Sequence, residues 1–445
     1  MVFQSSQVFL YPTNSTGVKP ASALVMGNDG FTLFGTATIG GGTNGEAGNI
    51  FKIHADGSGF QVLHLFTGGA SDGALGDYSS LTSPKYRSSG YVGGLLLAQD
   101  GSLYGVTYYG GTNNCGTIYK IRQDGGGFQI IHNFSTIIAP ITTLLQTADG
   151  VLYGTGMNNV VFKLNTDGSG YHESFLSGLP GDGVLTSPLI QAADGLLYGC
   201  ADNGQSFIFK VSTNLNDAVQ VRAFTLTEAS ILYGTLYQAP NGMLLGTSAK
   251  TGGSHGNIFM LDTNGGNFQV VHSFLDGSTP DDGHAPCSGL RMGPDGWLYG
   301  TASDTIGTDS GTIYRILPDG SNYSIVYNIT VASDGQIPLA PLTMGTFQGT
   351  TGALFGVTSL GGATTGSGTV FSVLVNPPVS ITPGSITAGG QTTLFWPSWA
   401  ATYQLQSTTN LASGNWQTIT NGTSVVGVTV PASNSATYYR LVSPP

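Results

Sequence analysis

Short apolar runs separated by glycine-rich polar turns fill most of this 445-residue chain. The runs are rich in β-branched and aromatic residues, and none carries the 3.6-residue apolar spacing of a long amphipathic helix. One unit contains four runs, at residues 93–99, 103–107, 117–121 and 127–134. Asp-Gly turns join the first run to the second and the third to the fourth, as in short hairpins. The pattern predicts an antiparallel meander of four strands.

The second run of each unit ends in the same phrase, a leucine, an aromatic or apolar residue and a glycine. The seven copies end at Gly35, Gly105, Gly154, Gly199, Gly246, Gly300 and Gly356. They recur every 45 to 70 residues or so, which is about the length of a four-stranded propeller blade. The repeat therefore predicts an all-β fold with a seven-bladed β-propeller over residues 1–375.

The seventh unit lacks its fourth run, because the chain reaches Pro377-Pro378 directly after its third. Residues 6–10 resemble the missing run and precede the first unit. We expect this N-terminal segment to complete the seventh blade, since closure removes exposed sheet edges.

The repeat stops after residue 375, and a different strand pattern follows. Apolar runs at residues 391–396, 402–406, 416–420, 425–430 and 437–442 alternate with turns. This spacing is typical of a small sandwich. Residues 376–445 are therefore predicted to form an Ig/fibronectin-like β-sandwich, with Pro377-Pro378 as the linker.

Composition excludes some classes of function. Charged residues are only 8% of the chain and the net charge is −11, so there is no basic surface for nucleic acid. No apolar run is long enough to span a bilayer, and residues 1–10 lack the order of a signal peptide. We expect either a cytoplasmic protein or a mature form whose signal has been removed, in both cases a monomer.

The three cysteines, Cys115, Cys200 and Cys287, have no metal-type spacing and cannot all pair within one chain. We interpret them as unpaired small side chains, with one disulfide as the alternative.

Several phrases recur in fixed order and resemble the Gloeo/Verruco tandem repeat. They occupy residues 110–120, 127–134, 182–188 and 194–199. The tail, at residues 403–411 and 439–441, is similar to C-terminal sandwich modules of secreted bacterial proteins. Both resemblances imply an extracellular or cell-surface protein, and neither implies a reaction.

In a four-stranded meander, the loop between strands two and three emerges on the same face as the crossing to the next unit. On this long-loop face we expect binding, because its loops are long and irregular. Residues that recur in several units are expected to be structural. They are Lys52, Lys120, Lys163, Lys210 and Arg315 in third strands and His64, His132 and His272 in fourth strands.

Residues that do not recur are the candidates for a site. His284, His255 and Asp282 are the catalytic candidates, because an imidazole near a carboxylate can act as a general acid or base. Arg291, Lys250 and Asp202 are candidate ligand-binding residues. The alternative is that Asp282-Gly283 is one copy of a crossing turn that also occurs at Asp72-Gly73, Asp182-Gly183 and Asp334-Gly335.

An insertion in the first unit, residues 70–93, adds Tyr78, Tyr86, Arg87 and Tyr91 as candidate ligand-binding residues. Tyrosines there could stack on sugar rings or form a flap over the channel. The acids and histidines at 255 and 281–284 match no defined ligand spacing, so we predict no metal site. The sequence leaves calcium binding in the central channel as an open alternative.

Three functions remain after these steps. The first is a secreted or cell-surface propeller that recognises extracellular polysaccharide through its long-loop face. The second is a polysaccharide lyase or glycoside hydrolase with its site at the mouth of the central channel. The third is a surface scaffold or adhesin that binds protein partners.

Overall fold

The computed structural model describes the chain at residues 2–8, 18–20, 22–39, 47–75, 93–136, 138, 140, 142–180, 183–249, 255–275, 282–303, 311–329, 332–347, 350–362, 368–375, 382–383, 391–395, 404–409, 415–419, 427–431 and 437–442. The regular elements of these residues are all β-strands apart from one 3-10 helix, Ala332–Asp334, and turns and loops join them. The chain divides into two compact units, Met1–Val375 and Asn376–Pro445. Over the described ranges, no helix has the length and apolarity that crossing a membrane requires.

The described part of the first unit contains seven antiparallel sheets, sheet 1 to sheet 7, each with a first to a fourth strand. Sheet 1 consists of Val25–Met26, Thr32–Ile39, Asn49–His54 and Gln61–Leu65. Sheet 2 consists of Leu96–Leu97, Ser102–Thr107, Thr117–Arg122 and Gln129–Asn133. Sheet 3 consists of Leu145–Gln146, Leu152–Thr155, Val160–Leu164 and His172–Phe175. Sheet 4 consists of Ile190–Gln191, Leu197–Asp202, Ser206–Val211 and Val219–Ala223.

The remaining sheets follow the same order. Sheet 5 consists of Tyr237–Gln238, Leu244–Ser248, Asn257–Leu261 and Gln269–Ser273. Sheet 6 consists of Arg291–Met292, Leu298–Ser303, Gly311–Ile316 and Ser324–Ile329. Sheet 7 consists of Thr343–Phe347, Thr350–Thr358, Thr369–Leu374 and, as its fourth strand, Val2–Val8. Val18–Pro20 and Val184–Leu185 extend sheets 1 and 4, and Gly73–Ala74 pairs with Tyr109–Gly110.

The N-terminal strand pairs with the end of the first unit, as the sequence predicts. Val2–Val8 runs antiparallel to Thr369–Leu374, from Val2 opposite Leu374 to Val8 opposite Thr369. The strand begins four residues earlier than predicted, and residues 9 and 10 lie outside the described part of the chain. Sheet 7 is therefore built from both ends of the unit.

Each repeated glycine of a second strand lies directly opposite an aromatic residue of the third strand. Gly154 pairs with Phe162, and Gly300 pairs with Tyr314. A Cβ atom at either glycine would lie closer than 3.0 Å to that aromatic ring. The glycine leaves room for a ring that covers the second strand, which explains why the phrase recurs.

Buried clusters join each described sheet to the next. Phe34 and Ile50 of sheet 1 pack with Leu103 and Tyr119 of sheet 2, and corresponding clusters follow for each later pair up to sheets 6 and 7. A further cluster places Phe51 of sheet 1 with Phe355 of sheet 7. The hydrophobic cores therefore form a closed succession from sheet 1 back to sheet 1.

The repeated lysines contact the neighbouring sheet. Lys163 Nζ of sheet 3 donates to the Thr213 carbonyl, 2.9 Å away, after the third strand of sheet 4. Lys210 Nζ makes the same contact with the Thr263 carbonyl, at 3.3 Å, one sheet further on. These contacts hold adjacent sheets together, whereas Lys120 and Arg315 pair with Asp100 and Asp295 of their own sheets.

The second unit contains two three-stranded sheets in its described part. One orders Thr382–Pro383, Gln391–Phe395 and Gly427–Pro431, and the other orders Gln417–Thr418, Gln404–Thr408 and Tyr438–Val442. Both contribute buried apolar side chains, with Leu394 and Val430 from the first and Leu405 from the second. Trp396, predicted to end a strand, lies outside the described residues.

Candidate functional site

The first unit contains a cavity of about 1050 Å³ that the first strands of its sheets enclose. Residues of these strands, or of the segments just before them, line the cavity from all seven sheets, and Thr142 and Thr143 represent sheet 3. Most of the lining is apolar, with threonines, tyrosines and glutamines between. We call it the first-strand cavity.

The strand register defines equivalent positions around this cavity. Arg291 lies opposite Tyr299, the middle residue of the repeated phrase in sheet 6. The residues opposite the same phrase position elsewhere are Val25, Leu96, Leu145, Ile190, Tyr237 and Thr343. Six of the seven equivalent residues are thus uncharged, and Arg291 departs from the repeat.

Arg291 is the one charged residue among the described lining residues of the cavity, which include no carboxylate. The side chain is exposed, and it makes no ion pair within the described ranges. The acid nearest in sequence, Asp295, accepts a 2.7 Å hydrogen bond from the Tyr299 hydroxyl and lies 3.7 Å from Arg315 Nη1. The guanidinium of Arg291 is therefore available to a ligand.

Tyr237 occupies the position of Arg291 in the preceding sheet. It is half-buried and packs with Met292 beside the core that sheets 5 and 6 share. Burial raises the pKa of its hydroxyl, which hydrogen-bonds to none of the described residues. Sequence analysis missed Tyr237, because a single tyrosine in a strand looks ordinary until the register shows its place beside the cavity.

Asp282, a catalytic candidate, is buried and held by its own repeat. Its Oδ2 lies 2.9 Å from His272 Nε2, and its Oδ1 accepts a 2.9 Å bond from the Leu275 amide. The His272 ring stacks on Tyr323 of the next sheet, with ring centres 3.5 Å apart. The carboxylate thus joins a fourth strand, the crossing after it and the adjacent sheet.

The same pairing recurs in other sheets. His64 Nε2 lies 3.2 Å from Asp72 Oδ1, and the His64 ring stacks on Phe128. At the equivalent position of sheet 4, Arg222 pairs with Glu228 at 2.5 Å. In sheet 6, the Tyr327 hydroxyl donates to Asp334 at 2.5 Å. These repeats favour the crossing-turn interpretation of Asp282.

His255 and His284, the two histidine candidates, come together. Their ring centres are 5.3 Å apart, and the Ala285 amide donates to the His255 carbonyl at 2.7 Å. His284 is buried, and the neighbouring Ala285 and Cys287 belong to an apolar cluster. Over the described ranges, no three acids, histidines or cysteines come close enough to hold a metal ion.

The other candidates separate into two groups. Asp202 closes a turn of sheet 4, where its carboxylate accepts bonds from the Gly204 amide at 2.7 Å and the Ser206 hydroxyl at 2.8 Å. The candidates outside the described residues are Lys250, Tyr78, Tyr86, Arg87 and Tyr91.

All three cysteines are unpaired, as predicted. Burial raises the pKa of the Cys200 and Cys287 thiols to about 12. Neither thiol is an ionised nucleophile near neutral pH.

Comparison with known proteins gives a family and matches among solved structures. The model of the Gloeobacter/Verrucomicrobia repeat matches residues 91–303 and 234–392. Among curated proteins, none matches the chain. Among solved structures, a chain from the crystal structure of the nidogen/laminin complex is 12% identical with a TM-score of 0.41, and the alignment covers 65% of this chain and 92% of that one.

Proposed function

We propose that this protein, which belongs to the Gloeobacter/Verrucomicrobia repeat family, binds extracellular polysaccharide as a seven-bladed β-propeller. The seven sheets would be the blades, and the first-strand cavity would be the central channel. Two features support this architecture: the closed succession of shared cores and the N-terminal strand that completes sheet 7. Both are what closure of a propeller requires.

The binding proposal rests on the first-strand cavity, where Arg291 departs from the uncharged residues of the other six sheets. Its volume of about 1050 Å³ is at the upper end of the roughly 300–1,000 Å³ of small-molecule sites, which leaves room for several sugar units. Tyr237 contributes an aromatic side chain to the lining, Thr235 contributes a hydroxyl, and Arg291 contributes a guanidinium. A few polar groups in an apolar concave wall are typical of ligand sites.

We also propose that the glycan enters the cavity from the long-loop face and that the protein acts outside the cell. The second unit, with buried side chains from two small sheets, fits a β-sandwich of the kind attached to secreted proteins. Few charges and many polar turns suit a surface that meets neutral or weakly acidic glycans.

Binding is favoured over catalysis by the environment of Asp282. Both of its carboxylate oxygens have partners in a pairing that other sheets repeat, so it serves the fold. A general base for a lyase or hydrolase would instead face the ligand. We therefore propose recognition of glycan without cleavage.

The test is calorimetric titration of the protein with a panel of neutral and acidic oligosaccharides, repeated with Tyr237→Ala. We expect at least one glycan to bind, and Tyr237→Ala to bind it about tenfold more weakly because it loses about 1.4 kcal/mol of ring contact. Tyr438→Ala, an exposed tyrosine in the second unit, is the matched control and should bind normally.

Two results would contradict the proposal. If no glycan of the panel binds, the protein is better described as a scaffold or adhesin for protein partners. If Tyr438→Ala weakens binding and Tyr237→Ala does not, the glycan binds the second unit and not the first-strand cavity.

A further inference from the structure

We propose that the sugar unit in the first-strand cavity is a uronic acid, whose carboxylate pairs with Arg291. This inference rests on the proposed function and names its ligand class. It follows from the charge of the cavity wall, the position of Arg291 in the repeat and the nature of its neighbours.

Arg291 is present where the fold does not need a charge. The six equivalent residues build the same strand position with apolar, tyrosine or threonine side chains. Four of the recurring third-strand cations differ, because they have partners in the protein. Lys163 and Lys210 donate to backbone carbonyls of the next sheet. Lys120 and Arg315 lie beside Asp100 and Asp295 of their own sheets. A cation that appears once, at a cavity, is better explained by a ligand than by folding.

Within the described part of the chain, the charge of Arg291 has no carboxylate partner. No acid is among the described lining residues, and Asp295 is engaged by Tyr299 and Arg315. The chain as a whole carries a net charge of −11, so this wall is a local exception to an acidic protein. A cavity with one cation and apolar walls attracts an anion, since a weakly polarisable wall strengthens the field inside it.

One guanidinium selects an anion of one charge. Arginine binds a carboxylate through two parallel N–H···O bonds and stays protonated at any physiological pH. Among the described lining residues, no second cation lies beside Arg291 to neutralise the second charge of a phosphate dianion on the same sugar position. A carboxylate on a sugar ring carries a single charge and offers the two oxygens that a guanidinium pairs with.

The neighbours of Arg291 suit the rest of such a ring. Tyr237 lies at the equivalent position on the adjacent sheet and lines the same cavity, so an aromatic side chain lies one sheet away from the cation. Thr235, two residues before Tyr237, also lines the cavity. A pyranose with its carboxylate on Arg291 would extend toward the tyrosine ring and the threonine hydroxyl.

The experiment compares trigalacturonate, its methyl ester and a neutral galactose trisaccharide by calorimetric titration at fixed ionic strength. The ester keeps the sugar and loses the charge. We expect the acid to bind about 10- to 100-fold more tightly than the ester, since hydrogen bonds to charged groups are the stronger ones. Arg291→Gln should remove that difference, while Arg291→Lys should retain part of it.

Other outcomes would overturn the inference, and they are distinguishable from failure of the proposed function. Equal binding of acid and ester, or an acid preference that survives Arg291→Gln, removes the role of Arg291 while glycan binding stands. A sulfated trisaccharide or a non-sugar carboxylate that binds more tightly than trigalacturonate, in an Arg291-dependent way, replaces the uronic acid as the ligand class. Absence of binding by all probes contradicts both proposals. Unchanged melting temperatures will show that the variants are folded.

Discussion

The glycine that closes each repeated phrase is determined by its neighbour across the sheet. At Gly154 the Phe162 ring covers the position where a side chain would be, and Leu144 approaches from the adjacent strand. The backbone there is ordinary, so the requirement is for space and not for a left-handed conformation. The recurring glycine, which in the sequence resembles a turn residue, is thus required by side-chain packing.

Gly154→Ala should destabilise the first unit by about 1–3 kcal/mol, because the added methyl must displace a packed aromatic ring. Gly69→Ala is the matched control, since the only described atom near its added methyl is a threonine hydroxyl 4.0 Å away. We expect the control to change the free energy of unfolding by less than about 0.5 kcal/mol. Urea denaturation measures both, and equal effects would contradict the packing argument.

At the scale of elements, the sequence predicts the order of the strands, while their ends depend on local turn geometry. The third strand of sheet 2 begins at Thr117 as predicted, whereas its fourth strand begins at Gln129, two residues late, because Gly127 takes a positive φ and still belongs to the turn. For Asp282 the sequence left a catalytic acid and a crossing turn as alternatives, because its partner His272 lies ten residues away and is brought to it only by the fold.

The N-terminal strand is the element whose removal affects both ends of the unit. Deleting residues 1–8 should lower the melting temperature by roughly 10 °C, because six residue pairs with Thr369–Leu374 are lost at about 1 kcal/mol each. A chain that begins at residue 2 keeps the strand and serves as the control. An unchanged melting temperature in the longer deletion would mean that sheet 7 does not depend on this strand.

At the scale of the whole molecule, two units with different patterns share one chain. In the first unit, each described sheet shares a hydrophobic core with the sheet before it and the sheet after it. These shared cores hold the strands in place, so the loops can vary in length and sequence. Repetition fixes most positions of this unit, and the departures from it, above all Arg291 and Tyr237, identify the proposed site. Their meaning depends on strand register, which the sequence alone does not supply.

The central claim is that an acidic glycan occupies the first-strand cavity. The most direct test is a crystal structure of the full chain with trigalacturonate at a concentration that saturates binding in solution. We predict the sugar between the first strands, with its carboxylate within hydrogen-bonding distance of Arg291 and its ring on Tyr237. A sugar bound on any other surface, with the cavity free of it, would contradict the account.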